Sequence, residues 1–253
     1  MLISLAAAGF RVGWGENSAK GVSVVHLLIP AAGVGRRMGS DRNKLLLPLR
    51  GQPILAWTLR AAAASASIEW VGLICQEIDK PDLLAILDTL NLAKPVVMVL
   101  GGETRQESVY NGLQALPPTA EQVLIHDGAR CLATPDLFDR CAAALQTCPG
   151  LIAAIPVKDT IKIVNDDGIV TATPDRNYLW AAQTPQGFHV APLKAAHDEG
   201  KAKQWTVTDD AALFEKVGLP VKIVPGEETN LKVTTPEDLK IADSVLSDRE
   251  TAA

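Results

Sequence analysis

The stretch Val24-Val25-His26-Leu27-Leu28-Ile29, followed at once by Pro30-Ala31-Ala32-Gly33-Val34-Gly35-Arg36-Arg37-Met38-Gly39, decides the fold. A short, nearly continuous apolar run is the mark of a strand buried on both faces, as in a parallel sheet. The small residues behind it let backbone N–H groups come close to phosphates. Ligands of open α/β sheets sit at the carboxyl ends of the strands, where this loop lies. Arg36, Arg37, Arg42 and Lys44 stand against Asp41, four cations to one carboxylate, a local net of +3. The whole chain of 253 residues carries −5. Positive charge is therefore concentrated on one loop, as a triphosphate site requires.

Other loop types fit less well. A dinucleotide-binding turn wants G-x-G-x-x-G opening a helix and an acid about 20 residues on. Met38 takes the third glycine's place, and Pro48 stops a helix. The P-loop pattern G-x-x-x-x-G-K-[ST] is absent. A solvated basic turn remains the bland alternative.

Working outward, similar apolar runs occur at Val71–Cys75, Val96–Leu100, Val123–Ile125, Leu151–Ile155 and Val221–Val224. Helical patterns lie between them at Pro53–Ala66, Asp82–Leu92, Ser108–Leu116 and Pro135–Thr147. Alternation of this kind predicts an α/β fold: a Rossmann-like, mostly parallel sheet flanked by helices. Lys158–Tyr178 breaks it, with β-type runs around Asp166-Asp167-Gly168 that read as a hairpin. A hairpin so short is marginal alone, so it is expected to project as an arm and pack on a second subunit. Thr235 as N-cap and Pro236 behind it start a last helix running to about Ser247. Residues 24–250 read as a single domain with an arm at about 158–178. Residues 1–23 read as a poorly ordered extension; with no basic segment ahead of Leu2–Phe10, a secretory signal fits poorly.

Composition sets outer bounds. Hydrophobic residues make up 47% and charged residues 21%, ordinary values for a soluble globular protein. No apolar run is long enough to span a bilayer, so no membrane role is expected. The acidic balance gives nucleic-acid binding no support. Cys75, Cys131, Cys141 and Cys148 form no C-x-x-C pair, which disfavours a zinc ribbon and suits a reducing, cytoplasmic compartment.

The segment A-A-G-x-G-x-R-M, with a lysine and L-x-x-L-x-G-x-P-I-L after it, resembles the signature loop of nucleotide-sugar and nucleotide-alcohol pyrophosphorylases. Later segments narrow the resemblance: Gly101-Gly102-Glu103-Thr104-Arg105-Gln106-Glu107-Ser108, His126-Asp127-Gly128-Ala129-Arg130, Asp175-Arg176-Asn177-Tyr178-Leu179-Trp180, Gln183-Thr184-Pro185-Gln186 and Asn230-Leu231-Lys232-Val233-Thr234. Together they are similar to the 2-C-methyl-D-erythritol 4-phosphate cytidylyltransferase family, over about Val24 to Leu246. Cys131 stands where that pattern usually has proline, Gly128 where it often has alanine or serine, and Glu103 where aspartate is common.

The resemblance implies a nucleotidyltransferase fold of the GT-A type, CTP as co-substrate and Mg2+. It places Arg37 and Lys44 on the CTP phosphates as transition-state stabilisers, and Asp127 on the metal. It implies base and ribose contacts from Ala31, Ala32, Gly33, Gly35, Gly102, Glu103, Ser108 and Gly128. The acceptor falls to Thr208 and Lys232 of one subunit with Thr160 and Arg176 from the arm of its neighbour, which makes a homodimer the working unit; Lys232 also counts among the catalytic residues. Arg36 and His126 are read as structural, and Arg105 as a brace for its loop. Rival functions are a ribitol 5-phosphate cytidylyltransferase, a nucleotide-binding module without catalysis, and a dinucleotide oxidoreductase.

Overall fold

Residues 24–33 and 43–251 are described by the structure, a computed structural model. Gly35, Arg36, Arg37, Arg42 and the extension 1–23 lie outside the described residues. Strand β1 (Val25–Pro30) forms on the apolar run, with Val25–Ile29 buried. Alternate side chains of a strand face opposite sides of its sheet. Leu27 and Ile29 accordingly enter one core cluster and Leu28 the other. A small hairpin, β2 (Pro48–Leu49) and β3 (Gln52–Pro53), leads into helix α1 (Ile54–Ala64). Then come β4 (Ile68–Cys75), α2 (Lys80–Leu90), β5 (Val96–Leu100), α3 (Arg105–Gln114), β6 (Gln122–Ile125), α4 (Pro135–Ala144) and β7 (Gly150–Pro156). The short pair β8 (Ile163–Val164) and β9 (Val170–Ala172) follows, then β10 (Trp180–His189), α5 (Val190–Ala202), α6 (Asp210–Lys216), β11 (Lys222–Pro225) and α7 (Pro236–Thr251).

Seven strands form one sheet in the order β11-β7-β10-β6-β1-β4-β5. Only β10 runs antiparallel to its neighbours; the remaining pairs are parallel. Leu55, Leu83, Phe138 and Leu246, from α1, α2, α4 and α7, fill one face; Leu113, Leu193 and Phe214, from α3, α5 and α6, fill the other. The sheet is therefore covered on both sides, which is why its strands read as apolar runs. At α7, Thr235 Oγ1 accepts from Asp238 N–H and Asp238 Oδ2 accepts from Thr235 N–H, a reciprocal cap on the predicted residue.

β10, α5 and α6 escape the sequence pattern, as does the small β2–β3 hairpin. Strand β10 carries Gln183, Thr184, Pro185, Gln186 and Gly187, and its register with β7 shifts between Ala182 and Gln186. Pro and Gly normally argue against a central strand. Here the irregularity absorbs them, and Gln183, Thr184 and Gln186 are buried because each side chain finds partners.

The hairpin turns at Gly168, whose φ of +77° suits glycine. It leaves Ile163, Val164, Ile169 and Val170 each more than half exposed.

Candidate active site

The ends of β1, β4, β5 and β6 border a cleft of about 680 Å³. Among its lining residues are Ala31, Ala32, Gly33, Lys44, Gly102, Glu103, Ser108, Asp127, Gly128 and Lys232. Every predicted nucleotide, metal or catalytic residue within the described residues thus reaches one cavity. The loop leaves β1 with Ala31 N–H bonded to Ile74 O at 2.7 Å. It returns at buried Asn43, whose side-chain amide donates to Ala31 O at 2.7 Å and to Asp79 Oδ2 at 2.9 Å. Those bonds place Lys44 beside the end of the first strand.

Three chain segments close on one another here. Lys44 Nζ donates to Val233 O at 2.8 Å, and Val233 N–H donates to Ala129 O at 2.9 Å. Lys232 Nζ lies 2.8 Å from Asp127 Oδ2, with Arg130 Nε at 3.8 Å from the same oxygen. Burial alone would raise the Asp127 carboxyl; Lys232, with Arg105 and Arg130, outweighs it and holds the group below its ordinary value. Asp127 is therefore a carboxylate at neutral pH.

His126 holds the backbone of Asp127 from behind, through Thr184. Its Nε2 is 3.2 Å from Arg130 O, which can only accept, so the proton is assigned to Nε2. Nδ1 then accepts from the Thr184 hydroxyl at 3.0 Å, and Thr184 Oγ1 accepts from Asp127 N–H at 3.0 Å. Burial pushes the His126 imidazole down to about 4, against a partial lift from its backbone partner Arg130. It is neutral and enclosed. Asn230, wholly buried, donates to Thr184 O and Gln183 Oε1, while Arg130 Nη1 donates to Asn230 O. Sequence reasoning quoted Thr184, Asn230 and Arg130 inside motifs but gave them no task. Nothing local links Thr184 to a histidine 58 positions away.

On the nucleotide side, Thr104 and Glu107 form a reciprocal capping box at the start of α3. Glu107 Oε2 also accepts from Glu103 N–H, and Ser108 Oγ accepts from Gly102 N–H at 3.0 Å. Gly101 is required by a close approach: a Cβ there would sit 2.9 Å from Ala32 Cβ and 3.0 Å from Ser108 Oγ. Arg105, expected as a brace for its loop, reaches across to α6. It lines the cleft and pairs with Asp210 at 2.8 Å.

The remaining predicted residues lie elsewhere. Thr160 and Arg176 are exposed on the arm, where Arg176 Nη1 donates to Lys158 O at 3.0 Å. Arg176, Lys158 and Trp180 border a separate hollow at the arm's root. Thr208 is exposed just ahead of α6 and does not line the cleft.

Among the described residues no group of three or more His, Cys, Asp or Glu side chains could hold a metal ion by itself. The donor set at Asp127, one ionised carboxylate in a cleft lined with lysines, nevertheless fits Mg2+, which takes one or two carboxylates and fills its shell with phosphate oxygens and water. Among the described residues no helix is long and apolar enough to cross a membrane.

A sequence profile of the family described as IspD, 2-C-methyl-D-erythritol 4-phosphate cytidylyltransferase, matches residues 25–248. A Synechocystis protein of that name is 68% identical over 225 residues, 89% of this chain and 98% of the relative. A Synechococcus elongatus protein of the same name is 65% identical over 229 residues, 90% and 99% of the two chains. The crystal structure of 4-diphosphocytidyl-2C-methyl-D-erythritol synthase from Anaerococcus prevotii superposes with a TM-score of 0.80 at 34% identity, covering 90% of this chain and 100% of that one. The cytidylyltransferase from Thermus thermophilus gives 0.72 at 32% identity, with 88% and 99% covered. Sequence and fold agree, and the chain belongs to the 2-C-methyl-D-erythritol 4-phosphate cytidylyltransferase family.

Proposed function

We infer that the chain transfers CMP from CTP to 2-C-methyl-D-erythritol 4-phosphate, giving 4-diphosphocytidyl-2-C-methyl-D-erythritol and pyrophosphate for isoprenoid precursor synthesis by the non-mevalonate route. Family membership together with one cleft holding Lys44, Asp127 and Lys232 carries this reading. An acceptor phosphate oxygen forms a bond to the α-phosphorus of CTP, and the bond from that phosphorus to the bridging oxygen of pyrophosphate breaks. The acceptor is already an anion at neutral pH, so no imidazole base is needed, in keeping with the neutral, enclosed His126. Charge crowds at the α-phosphate, so catalysis rests on positioning and electrostatic stabilisation.

Lys44 and Arg37 are assigned to the non-bridging oxygens, a point charge and a planar fork respectively. Mg2+, when bound, neutralises the phosphates. Asp127 would hold it, and the Lys232 ammonium, 2.8 Å from Oδ2, is assigned to the acceptor phosphate. Gly102, Glu103 and Ser108 are assigned to cytosine, whose exocyclic amine is a donor that uracil lacks. The apolar residues left exposed on the hairpin support the arm as a homodimer contact that carries Thr160 and Arg176 to the neighbour's acceptor. Four buried free thiols favour a cytoplasmic setting.

Pyrophosphate release measured with CTP, Mg2+ and either 2-C-methyl-D-erythritol 4-phosphate or ribitol 5-phosphate tests the assignment. Turnover with the first is expected to fall about 10²–10³-fold in Lys44→Ala, the usual loss of a preorganised charge stabiliser. Preference for ribitol 5-phosphate, or CTP binding without pyrophosphate release, would overturn it.

A further inference from the structure

The side chain of Lys232 is 42% exposed, yet its Nζ stands 2.8 Å from Asp127 Oδ2. Little packing steers the ammonium, so its aim follows from the backbone that carries it. That backbone leaves β11 at Pro225 and reaches Lys232 without helix or strand. Beyond Lys232 it is tied by Val233 N–H to Ala129 O at 2.9 Å. Ahead of Lys232 it is held by Gln183 of β10, a side chain that is buried and does not line the cleft.

Gln183 Nε2 donates to Glu227 O at 2.9 Å. Its Oε1 accepts from Glu227 N–H at 3.3 Å and from Asn230 Nδ2 at 3.1 Å. Both acceptor sites of the amide oxygen are filled, which is what lets an amide be buried. The paired bonds to Glu227 are those by which one strand residue holds another across a ladder. The Gln183 side chain therefore stands in for a strand neighbour where β11 has ended. The fit is close, since a Cβ on Gly226 would overlap Gln183 Oε1. Asn230 Nδ2 also donates to Thr184 O at 2.8 Å, and the Thr184 hydroxyl accepts from Asp127 N–H. Two consecutive residues of β10 thus hold the two partners of one ion pair: Thr184 the backbone of Asp127, and Gln183 the segment that delivers Lys232.

We propose that Gln183 is a positioning residue for Lys232: its amide sets the course of residues 226–230 and so keeps the ammonium at Asp127. This rests on the cytidylyl-transfer reading above.

The test is a double-mutant cycle on kcat/KM. Gln183→Met is made in the wild-type chain, in Lys232→Ala and in Ser108→Ala, and amide exchange is followed over residues 226–233. Methionine keeps the length of glutamine and loses both hydrogen-bonding groups. In the wild-type chain Gln183→Met is expected to lower kcat/KM about tenfold, the scale of one buried hydrogen bond left unmade, and to speed exchange over 226–233. In Lys232→Ala the same change should cost less than about twofold, because no ammonium is left to aim. In Ser108→Ala it should again cost about tenfold, since Ser108 bonds to Gly102 and takes no part in the Gln183 contacts. An equal loss in all three backgrounds would mean a general loss of stability and overturns the proposal. So does an unchanged kcat/KM in Gln183→Met. If that variant fails to fold, Gly226→Ala, which displaces the amide from the other side, goes through the same cycle. A wild-type chain inactive with every acceptor sinks the functional reading, and exchange then decides for the Gln183 contact. Unchanged exchange over 226–233 overturns that contact in either case.

Discussion

Replacing His126 with glutamine should cost less stability at pH 5 than at pH 7. The imidazole is fully enclosed, with Thr184 on Nδ1 and Arg130 O on Nε2, and burial lowers it from its ordinary 6.5 to about 4. A depressed histidine means that the unfolded chain takes up the proton first. The stability tied to the neutral ring is complete above about pH 6.5 and is lost as pH falls toward 4. At about 1.4 kcal/mol per unit, the loss approaches about 3 kcal/mol over that window and about 2 kcal/mol by pH 5. The glutamine variant pays about 1–3 kcal/mol at pH 7 for imperfect replacement of two buried hydrogen bonds. It then escapes the acid limb, so the gap between the two proteins should narrow by about 2 kcal/mol at pH 5. Buried His26, also lowered by burial, is present in both and cancels. Urea unfolding followed by tryptophan fluorescence, at one protein concentration and both pH values, measures the gap. An equal gap at pH 7 and pH 5 would show that the ring is not held neutral, and the bond directions assigned around Asp127 would be wrong.

Gly101→Ala should weaken CTP binding with little effect on the acceptor KM, since its methyl group would push Ala32 and Ser108 apart on the nucleotide side; equal effects on both would count against that placement. Arg176→Ala should raise the acceptor KM far more than the CTP KM, and mixing it with inactive Lys44→Ala subunits should restore partial activity if the site is shared between copies. Recovery of nothing on mixing would argue for a site built from one chain.

What could be read beforehand depended on whether the cause was local. β1, β4, β6 and β7 are buried on both faces over most of their length, so their apolar runs announced them to within a few residues. β10 did not announce itself, because its buried glutamines and threonine are stabilised by partners that no local pattern displays. Likewise α6 is seven residues long, too short for a clear period. Asp127 was legible from its place at a strand end. Its contact with Lys232 was not, since it depends on the chain after β11 returning over Ala129. The partner of Arg105 lies 105 positions away, beyond reach of any spacing argument.

Strand β10 begins at the root of the hairpin and ends in the middle of the sheet. Its first residues, Trp180–Ala182, are exposed, and Thr184, two residues further on, holds the Asp127 backbone through its hydroxyl. The root of the hairpin and the backbone of Asp127 are thus joined through one strand, whose register shifts between Ala182 and Gln186. On the proposal that the arm is a subunit contact, a partner gripping it would act on the same strand that anchors the Asp127 backbone, one mechanical shaft between interface and cleft.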